Sequence, residues 1–244
     1  MVKDILWLHQ AFKMAVNEMD SNVNVGYPKE LIDIVLNKAA LKWLESIVVM
    51  LENNQAIVEK LSSLVIRTPI TSTATIPNNF QTALPSSITL ENSYEYRLDG
   101  LIHPYYRFLA AHATINKGEC SKQGKVKIEQ HDDIQVVLRD SNRKPSWRYG
   151  EVVGVFGRDS KTYTIANANT VSKSIILYTD SSTTLGDMYL TYLKVPNQIN
   201  IGGYNDLNGN ALIRTELDIP QEYYPDIIEF AKIEVASSYG FTNK

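Results

Sequence analysis

A chain of 244 residues, 44% of them hydrophobic, is long enough to form one large domain or two small ones. Its formal charge of −3 argues against the strongly basic footprint of a sequence-specific nucleic-acid binder, and its single cysteine, Cys120, excludes an internal disulfide framework. The apolar runs 5–8 and 46–51 are too short for a signal peptide or for the ~20 residues that span a bilayer. We therefore expect a chain that is soluble and intracellular, or one that is assembled inside a cell.

The first quarter of the chain predicts two or three helices. Apolar residues recur every three or four positions in 5–19 and again in 29–51, which is the helical period. A third segment, 52–66, carries a similar pattern and could continue the second helix. We therefore assign residues 1–68 to an N-terminal helical segment.

The middle of the chain predicts strands. Residues 69–93 contain several prolines and many Thr and Ser residues, which is typical of an extended linker. From 94 to 201, short runs rich in Val, Ile, Tyr and Thr alternate with turn residues, which predicts a β-rich insertion, a small sandwich or barrel. We expect antiparallel strands because the links are short. The run 134–138 is interpreted as a strand, with a short helix capped by Asp132 or Asp133 as the alternative.

The chain closes with a predicted loop at 202–219 and a predicted helix at 220–240. Pro220 and Pro225 bracket the start of this helix, and Gly240 is suited to end it. Its apolar residues lie on more than one side, and the N-terminal helices also need a partner for their apolar stripes. We therefore predict an α+β fold, in which helices from both termini form a helical body and an antiparallel β-rich domain is inserted.

Candidate catalytic and metal-binding residues are few. Cys120 could act as a thiol nucleophile with His103, His112 or His131 as its base, but it lies in a polar, hairpin-like turn. The cluster Gln-His-Asp-Asp at 130–133 offers several ligand groups, yet adjacent residues rarely converge on one metal ion, so a turn or helix cap is favoured. Phosphate-loop, dinucleotide-binding and zinc-protease motifs are missing from the sequence. The sequence therefore predicts no enzyme, no metal and no cofactor.

A locally basic region between 117 and 148 includes Trp147 and is followed by Tyr149. Acidic residues between 119 and 140 are interleaved with the basic ones and weaken the local positive field. We therefore favour solvated loops, or charged contacts with a partner protein, over a nucleic-acid surface.

Four stretches of the chain carry a family resemblance. They are LIDIVLNKAALKWLES with LENNQAIVEKLSSLV, then VKIEQHDDIQVVLRDSNRKPSWRYGEV, then MYLTYLKVPNQINI, and finally LDIPQEYYPDIIEFAKIEVA. In this order they resemble the ring, or head-to-tail adaptor-type, structural proteins of crAss-like bacteriophages. The resemblance reaches both ends and the centre of the chain. One departure is that Asp140 is followed by Ser141 and Asn142, where the family has an aromatic residue.

The resemblance implies a structural protein of the virion neck or tail, assembled in the bacterial host cytoplasm, with about twelve copies in a ring. Such a ring extends the portal channel, connects head to tail, and lets genomic DNA pass through its lumen without specific binding. Its partners are the portal and neighbouring neck or tail ring proteins, and no membrane, catalytic residue, metal or cofactor is implied. The alternatives are a tail-hub or baseplate subunit, a hydrolase that depends on Cys120, and a host-directed binding module.

A closed ring repeats one heterologous interface, so each copy presents two different surfaces. The predicted closing helix suits this requirement because it has apolar residues both on its main stripe and off it. The candidates for subunit contacts are Tyr223, Tyr224, Ile227, Phe230, Ile233, Trp147 and Tyr149.

Acidic residues of the closing helix are candidates for the lumen. They are Glu222, Asp226, Glu229 and Glu234. If they face the channel, repeated carboxylates repel the phosphate backbone, so DNA slides through the ring instead of binding to it.

Overall fold

A computed structural model describes most of the chain. The described residues are 4–19, 27–49, 60–71, 74–75, 93–158, 173–180, 182–205 and 209–239. The chain divides into two compact units. The helical unit comprises Met1–Leu64 and Val195–Lys244, and the sheet unit comprises Val65–Lys194. This is the predicted α+β fold with an inserted β domain.

Four α-helices lie in the described part of the chain: α1 (Ile5–Met19), α2 (Lys29–Val48), α3 (Ile134–Arg139) and α4 (Tyr224–Tyr239). The helical unit contains α1, α2 and α4, together with 3-10 turns at Ser62–Leu64 and Gln221–Tyr223. No described helix is long and apolar enough to cross a membrane.

The core of the helical unit lies where α4 packs against α1 and α2. Phe12 of α1, Leu36 and Trp43 of α2, and Ile227 of α4 are buried there. Burial of a large apolar side chain stabilises a fold by about 1.5–3 kcal/mol relative to exposure, so these contacts hold the two ends of the chain together.

The sheet unit has eight described strands. They are β1 (Val65–Ile70), β2 (Ala74–Thr75), β3 (Ser93–Arg97), β4 (Tyr105–Lys117), β5 (Cys120–Ile128), β6 (Glu151–Arg158), β7 (Lys173–Tyr178) and β8 (Thr184–Lys194). They form one curled mixed sheet in the order β1-β8-β4-β5-β6-β7-β3-β2. The first and last strands of the unit pair directly, with Val65 opposite Leu193.

Residues 134–138 correct the sequence prediction. They belong to α3 and not to a strand, and Asp133 occupies the N-cap position without a side-chain capping bond. The link between β5 and β6 therefore contains a helix, and these two strands pair in parallel, with Lys125 opposite Glu151. The expectation of antiparallel strands throughout is wrong for this pair, because a long crossover allows the second strand to run in the same direction.

The sheet unit begins at residue 65, whereas the sequence places the start of the insertion at 94. Val65 and Ile66 lie in β1 and not in a third helix. Pro69 is tolerated in β1 because this strand lies at the edge of the sheet, where a missing N–H need not break a ladder. Other predicted features fall outside the described residues: the third helix at 52–59, the strand at 162–166, and the helix end at Gly240.

The core of the sheet unit is apolar, with buried tyrosines whose hydroxyls are satisfied. Tyr96 donates to the carbonyl of Gly186 at 2.6 Å, and Tyr192 donates to the carbonyl of His103 at 3.0 Å. Burial raises the pKa of the Tyr96 hydroxyl, so Tyr96 stays neutral and keeps its donor.

Candidate functional site

Helix α4 has one face that its own unit buries. Tyr224 and Ile227 are buried in the core, with Ile227 0% exposed. The Tyr224 hydroxyl lies 3.5 Å from the carbonyl of Leu217. The apolar surface of these two interface candidates is therefore already used within the helical unit.

The remaining interface candidates of α4 and its preceding turn differ in exposure. Tyr223 packs against Trp43, with ring centroids 5.2 Å apart, and Lys60 Nζ lies 5.8 Å from the Tyr223 centroid. Phe230 is half-buried, whereas Ile233 is 63% exposed. Of the predicted set in this helix, Ile233 offers the most free apolar surface.

The acidic candidates fall into two groups. Glu222, Asp226 and Glu229 are exposed; Asp226 and Glu229 share one face of α4 with Ile233, and Glu222 lies four residues before Asp226, in the 3-10 turn that precedes the helix. We call these four residues the acidic face. Lys232 contacts Glu229 at 3.0 Å and offsets part of its charge.

Glu234 lies off the acidic face and is neutralised within its own unit. Its carboxylate contacts Lys42 and, at 3.8 Å, Lys38, both on α2. The hydrogen bond from Lys42 is the main cause that lowers the pKa of Glu234. The structure therefore does not bring the four predicted acids together.

Exposed apolar residues also occur on the other two helices of this unit. On α1 they are Leu6 and Met14, and on α2 they are Ile34 and Leu41. Met14 is 67% exposed. All three long helices of the unit thus carry apolar side chains that its core does not cover.

A second group of sequence candidates meets in the sheet unit. Lys122 Nζ lies 4.6 Å from the ring centroid of Trp147 and 3.5 Å from the carbonyl oxygen of Arg148. The Arg148 guanidinium lies 5.9 Å from the ring centroid of Tyr149, which is 72% exposed. We call these four residues the cation–aromatic patch. Contacts of cations with aromatic faces are favourable by about 0.5–1 kcal/mol at exposed sites, so each pair contributes a small stabilisation.

The backbone fixes the turn that carries the patch. The Trp147 amide bonds Asp180, and Gly150 adopts φ = 64°, a left-handed conformation that suits glycine. Burial would raise the pKa of Asp180, but hydrogen bonds from Ser182, Thr183 and Trp147 outweigh it and lower that pKa. Asp180 therefore stays ionised and holds this turn.

The sheet unit also contains an open cavity of about 560 Å³. Tyr105, His131, Phe156 and Lys173 contribute to its lining. His131 hydrogen-bonds the carbonyl of Phe156, and Lys173 Nζ lies 5.6 Å from the Tyr105 centroid. Burial is the main cause that raises the pKa of Tyr105, to about 12.

The predicted nucleophile and metal cluster have simple surroundings. Cys120 is exposed at the turn between β4 and β5, opposite Lys117. His131 is engaged by the Phe156 carbonyl. Within the part of the chain that the structure describes, no group of three or more His, Cys, Asp and Glu residues is arranged to hold a metal ion.

A buried polar cluster in the helical unit is absent from the sequence predictions. His9 of α1 and Asp33 of α2 are 4% and 2% exposed, and His9 Nε2 lies 2.7 Å from Asp33 Oδ1. The other carboxylate oxygen accepts the Tyr204 hydroxyl at 2.6 Å and the Ile201 amide at 3.1 Å. One carboxylate thus ties both N-terminal helices to the chain segment that returns from the sheet unit.

Electrostatics of this cluster favour an ionised Asp33. Burial would raise its pKa, but hydrogen bonds from His9, Tyr204 and the Ile201 amide outweigh that effect and lower the pKa. Burial, together with the hydrogen bond to Asp33, raises the pKa of Tyr204. The cluster therefore combines an ionised carboxylate with a Tyr204 hydroxyl that stays neutral and keeps its donor.

A sequence signal for this cluster exists. His9 follows Ile5 by four residues and precedes Phe12 by three, so it lies on the apolar stripe of α1. Asp33 likewise precedes the buried Leu36 by three residues. Polar residues on apolar stripes must be paired when buried, which predicts contact between the two.

In comparisons with known proteins, no protein-family model matches the chain, and the search of curated proteins found no match.

Proposed function

We propose that this chain is a structural subunit of a bacteriophage virion, which forms a homo-oligomeric ring in the neck or tail. The ring extends the portal channel, connects head to tail, and lets DNA pass without specific binding. Helices of both termini form the body of each subunit, and the sheet unit contacts neighbouring ring proteins.

The observation that carries the phage assignment is the order of the four resembling stretches. They fall in α2 and the residues after it, in the segment from β5 to β6, in β8, and in α4. Each stretch is weakly specific when taken alone. Their order along most of the chain is what distinguishes this family from other α+β proteins.

Exposed apolar residues support assembly independently of the resemblance. Met14, Ile34 and Ile233 lie on three different helices of one unit, and each is more than half exposed. A subunit that contacts two neighbours through different surfaces needs apolar residues on more than one side. Stable interfaces bury about 1,200 Å² or more, so several helices contribute.

Cryo-electron microscopy of purified phage particles tests the location. We expect density for this fold in a closed ring between portal and tail. Density in a tail hub or baseplate would replace the proposed role with another virion role. Absence of the chain from particles, established by mass spectrometry, would refute the proposal and favour a host-directed binding module.

Native mass spectrometry of the purified chain tests the assembly surface. Met14→Ser and Ile34→Ser each remove exposed apolar surface, so we expect smaller oligomers than with the unmodified chain. Asn17→Ser is the matched control on α1 because it removes only an exposed polar side chain. If all three variants form the same oligomers as the unmodified chain, and are also incorporated equally into assembled particles, α1 and α2 are excluded from the interface.

The same particles test the hydrolase alternative. The proposed role needs no nucleophile, so Cys120→Ala should assemble normally. Loss of a measurable hydrolytic activity in particles that assemble normally would favour the alternative.

A further inference from the structure

The cation–aromatic patch is a partly exposed surface: Arg148 and Tyr149 are exposed, whereas Lys122 and Trp147 are partly buried and Trp147 also packs against the core of the sheet unit. Lys122 and Arg148 carry two positive charges, and Trp147 and Tyr149 supply ring faces beside them. Trp, Tyr and Arg are the residues that contribute most to protein interfaces. The surface therefore fits a partner that offers carboxylates and an apolar side chain.

The acidic face of α4 has this composition. Glu222, Asp226 and Glu229 are exposed along one side of the chain end, and Ile233 continues the same side with an apolar group. The distance from the first of these acids to the third is about 10 Å, at about 1.5 Å per helical residue.

We propose that the cation–aromatic patch of one copy binds the acidic face of α4 in the next copy. The inference rests on the proposed homo-oligomer and names one of its contacts. The two surfaces differ, so the contact is heterologous, as a closed ring requires.

Electrostatics favour a protein partner over nucleic acid. An uncovered patch of cations and aromatic rings beside a DNA channel would bind phosphates and stack bases. Carboxylates from the neighbouring copy neutralise the patch and let DNA move past. The acidic face thus serves a subunit contact in this arrangement, in place of the lumen position that the sequence suggests.

Site-specific photo-cross-linking tests the contact. A benzophenone amino acid replaces Tyr149 in an unlabelled copy, which is mixed with a ¹⁵N-labelled copy of the full chain. We expect cross-links between unlabelled and labelled peptides that map to the segment from Glu222 to Ile233. Mixed-isotope cross-links to other segments only, or none, would overturn the inference.

Charge reversal adds a directional test. Arg148→Glu in the copy that carries the cross-linker, or Asp226→Lys in the labelled copy, should each lower the cross-link yield about tenfold, since close interfacial charge pairs contribute this much or more. Combining the two charge reversals in one mixture should restore the cross-link yield. Arg139→Glu is the matched control because Arg139 is exposed on α3, outside the patch. Equal losses with the control, or no restoration, would contradict the proposed pairing.

Two further outcomes separate this inference from the proposed function. A virion ring that contains the chain but shows no such cross-link overturns only the contact. A mixed-isotope cross-link in a chain that is absent from virions overturns only the phage role. Fluorescence anisotropy with a labelled oligo-dT tests whether the patch binds nucleic acid. Tight binding that Arg148→Glu abolishes and Arg139→Glu preserves would overturn the inference.

Discussion

Replacement of Asp33 by alanine should destabilise the helical unit by about 3–5 kcal/mol, because it removes the shared acceptor of three hydrogen bonds. The change leaves three donors without their acceptor: the His9 ring, the Tyr204 hydroxyl and the Ile201 amide. Each buried donor left unpaired costs about 1–3 kcal/mol. Tyr204 is only half-buried, so water replaces part of its lost bond and keeps the total below the sum of three full penalties.

Urea unfolding followed by tryptophan fluorescence measures this loss. A Trp147→Phe background leaves Trp7 and Trp43, both in the helical unit, as reporters. The midpoint should fall while the slope with denaturant stays unchanged, because a change in stability alone shifts the midpoint. Glu45→Ala is the control: it removes an exposed carboxylate from the same helix and should change stability by no more than about 0.5 kcal/mol. A loss below about 1 kcal/mol for Asp33→Ala would refute the role assigned to the cluster.

The pH dependence of the same unit follows from the direction of the Asp33 shift. Its pKa is lowered from 3.8 in the folded protein, so the unfolded chain binds the proton more readily. The stabilisation is therefore fully present above about pH 4 and is lost as the pH falls through the folded pKa. We expect the stability difference between the unmodified chain and Asp33→Asn to shrink in that acidic range. A difference that stays constant with pH would contradict an ionised Asp33.

Three further predictions concern packing and the return of the chain to the helical unit. Gly124→Ala should cost about 1–3 kcal/mol in urea unfolding of the sheet unit, because a Cβ at this position would lie 2.9 Å from the Gly150 backbone oxygen; an unchanged midpoint would show that the two backbones can separate. Ile227→Ala should cost about 2–5 kcal/mol and Ile233→Ala less than about 0.5 kcal/mol, since the first is buried and the second exposed; equal losses would mean that the buried face of α4 is wrongly assigned. Asn37→Ala should cost about 1–3 kcal/mol in thermal or urea unfolding, because the side chain donates to the Ile199 carbonyl at 3.0 Å and accepts its amide at 2.7 Å; hydrogen exchange at Ile199 that does not change would argue against both bonds.

Local sequence patterns predict the fold class. The errors of that prediction arise where the same residues fit both a strand pattern and a helix pattern. The run 134–138 contains four apolar residues in five, which suits a strand as well as one helical turn. Choosing the strand there also hides the crossover, and with it the parallel pairing of β5 and β6. One local ambiguity thus accounts for both of these corrections, whereas the placement of Val65 and Ile66 in β1 is a separate one.

The candidate sites depend on contacts between residues distant in sequence, which periodicity does not supply. The sequence offers four acids of the closing helix as one set of lumen candidates, and helical spacing places Asp226 and Glu229 on one face. Glu234 is separated from them by its partners Lys38 and Lys42, which lie almost two hundred residues earlier in the chain. Lys122 and Trp147 likewise meet only because β5 and β6 are neighbours.

The pairing of Val65 with Leu193 has a consequence for synthesis on the ribosome. The sheet unit is one continuous segment, and all of it has been translated before residue 195 is added. It can therefore fold while the rest of the chain is still being synthesised. Helices α1 and α2 must wait for α4 for on the order of 10 s at ordinary translation rates of about 5–20 residues per second. Several nascent chains on one messenger RNA therefore carry incomplete helical units at the same time. The core of the helical unit is completed only when α4, the last described element, leaves the ribosome.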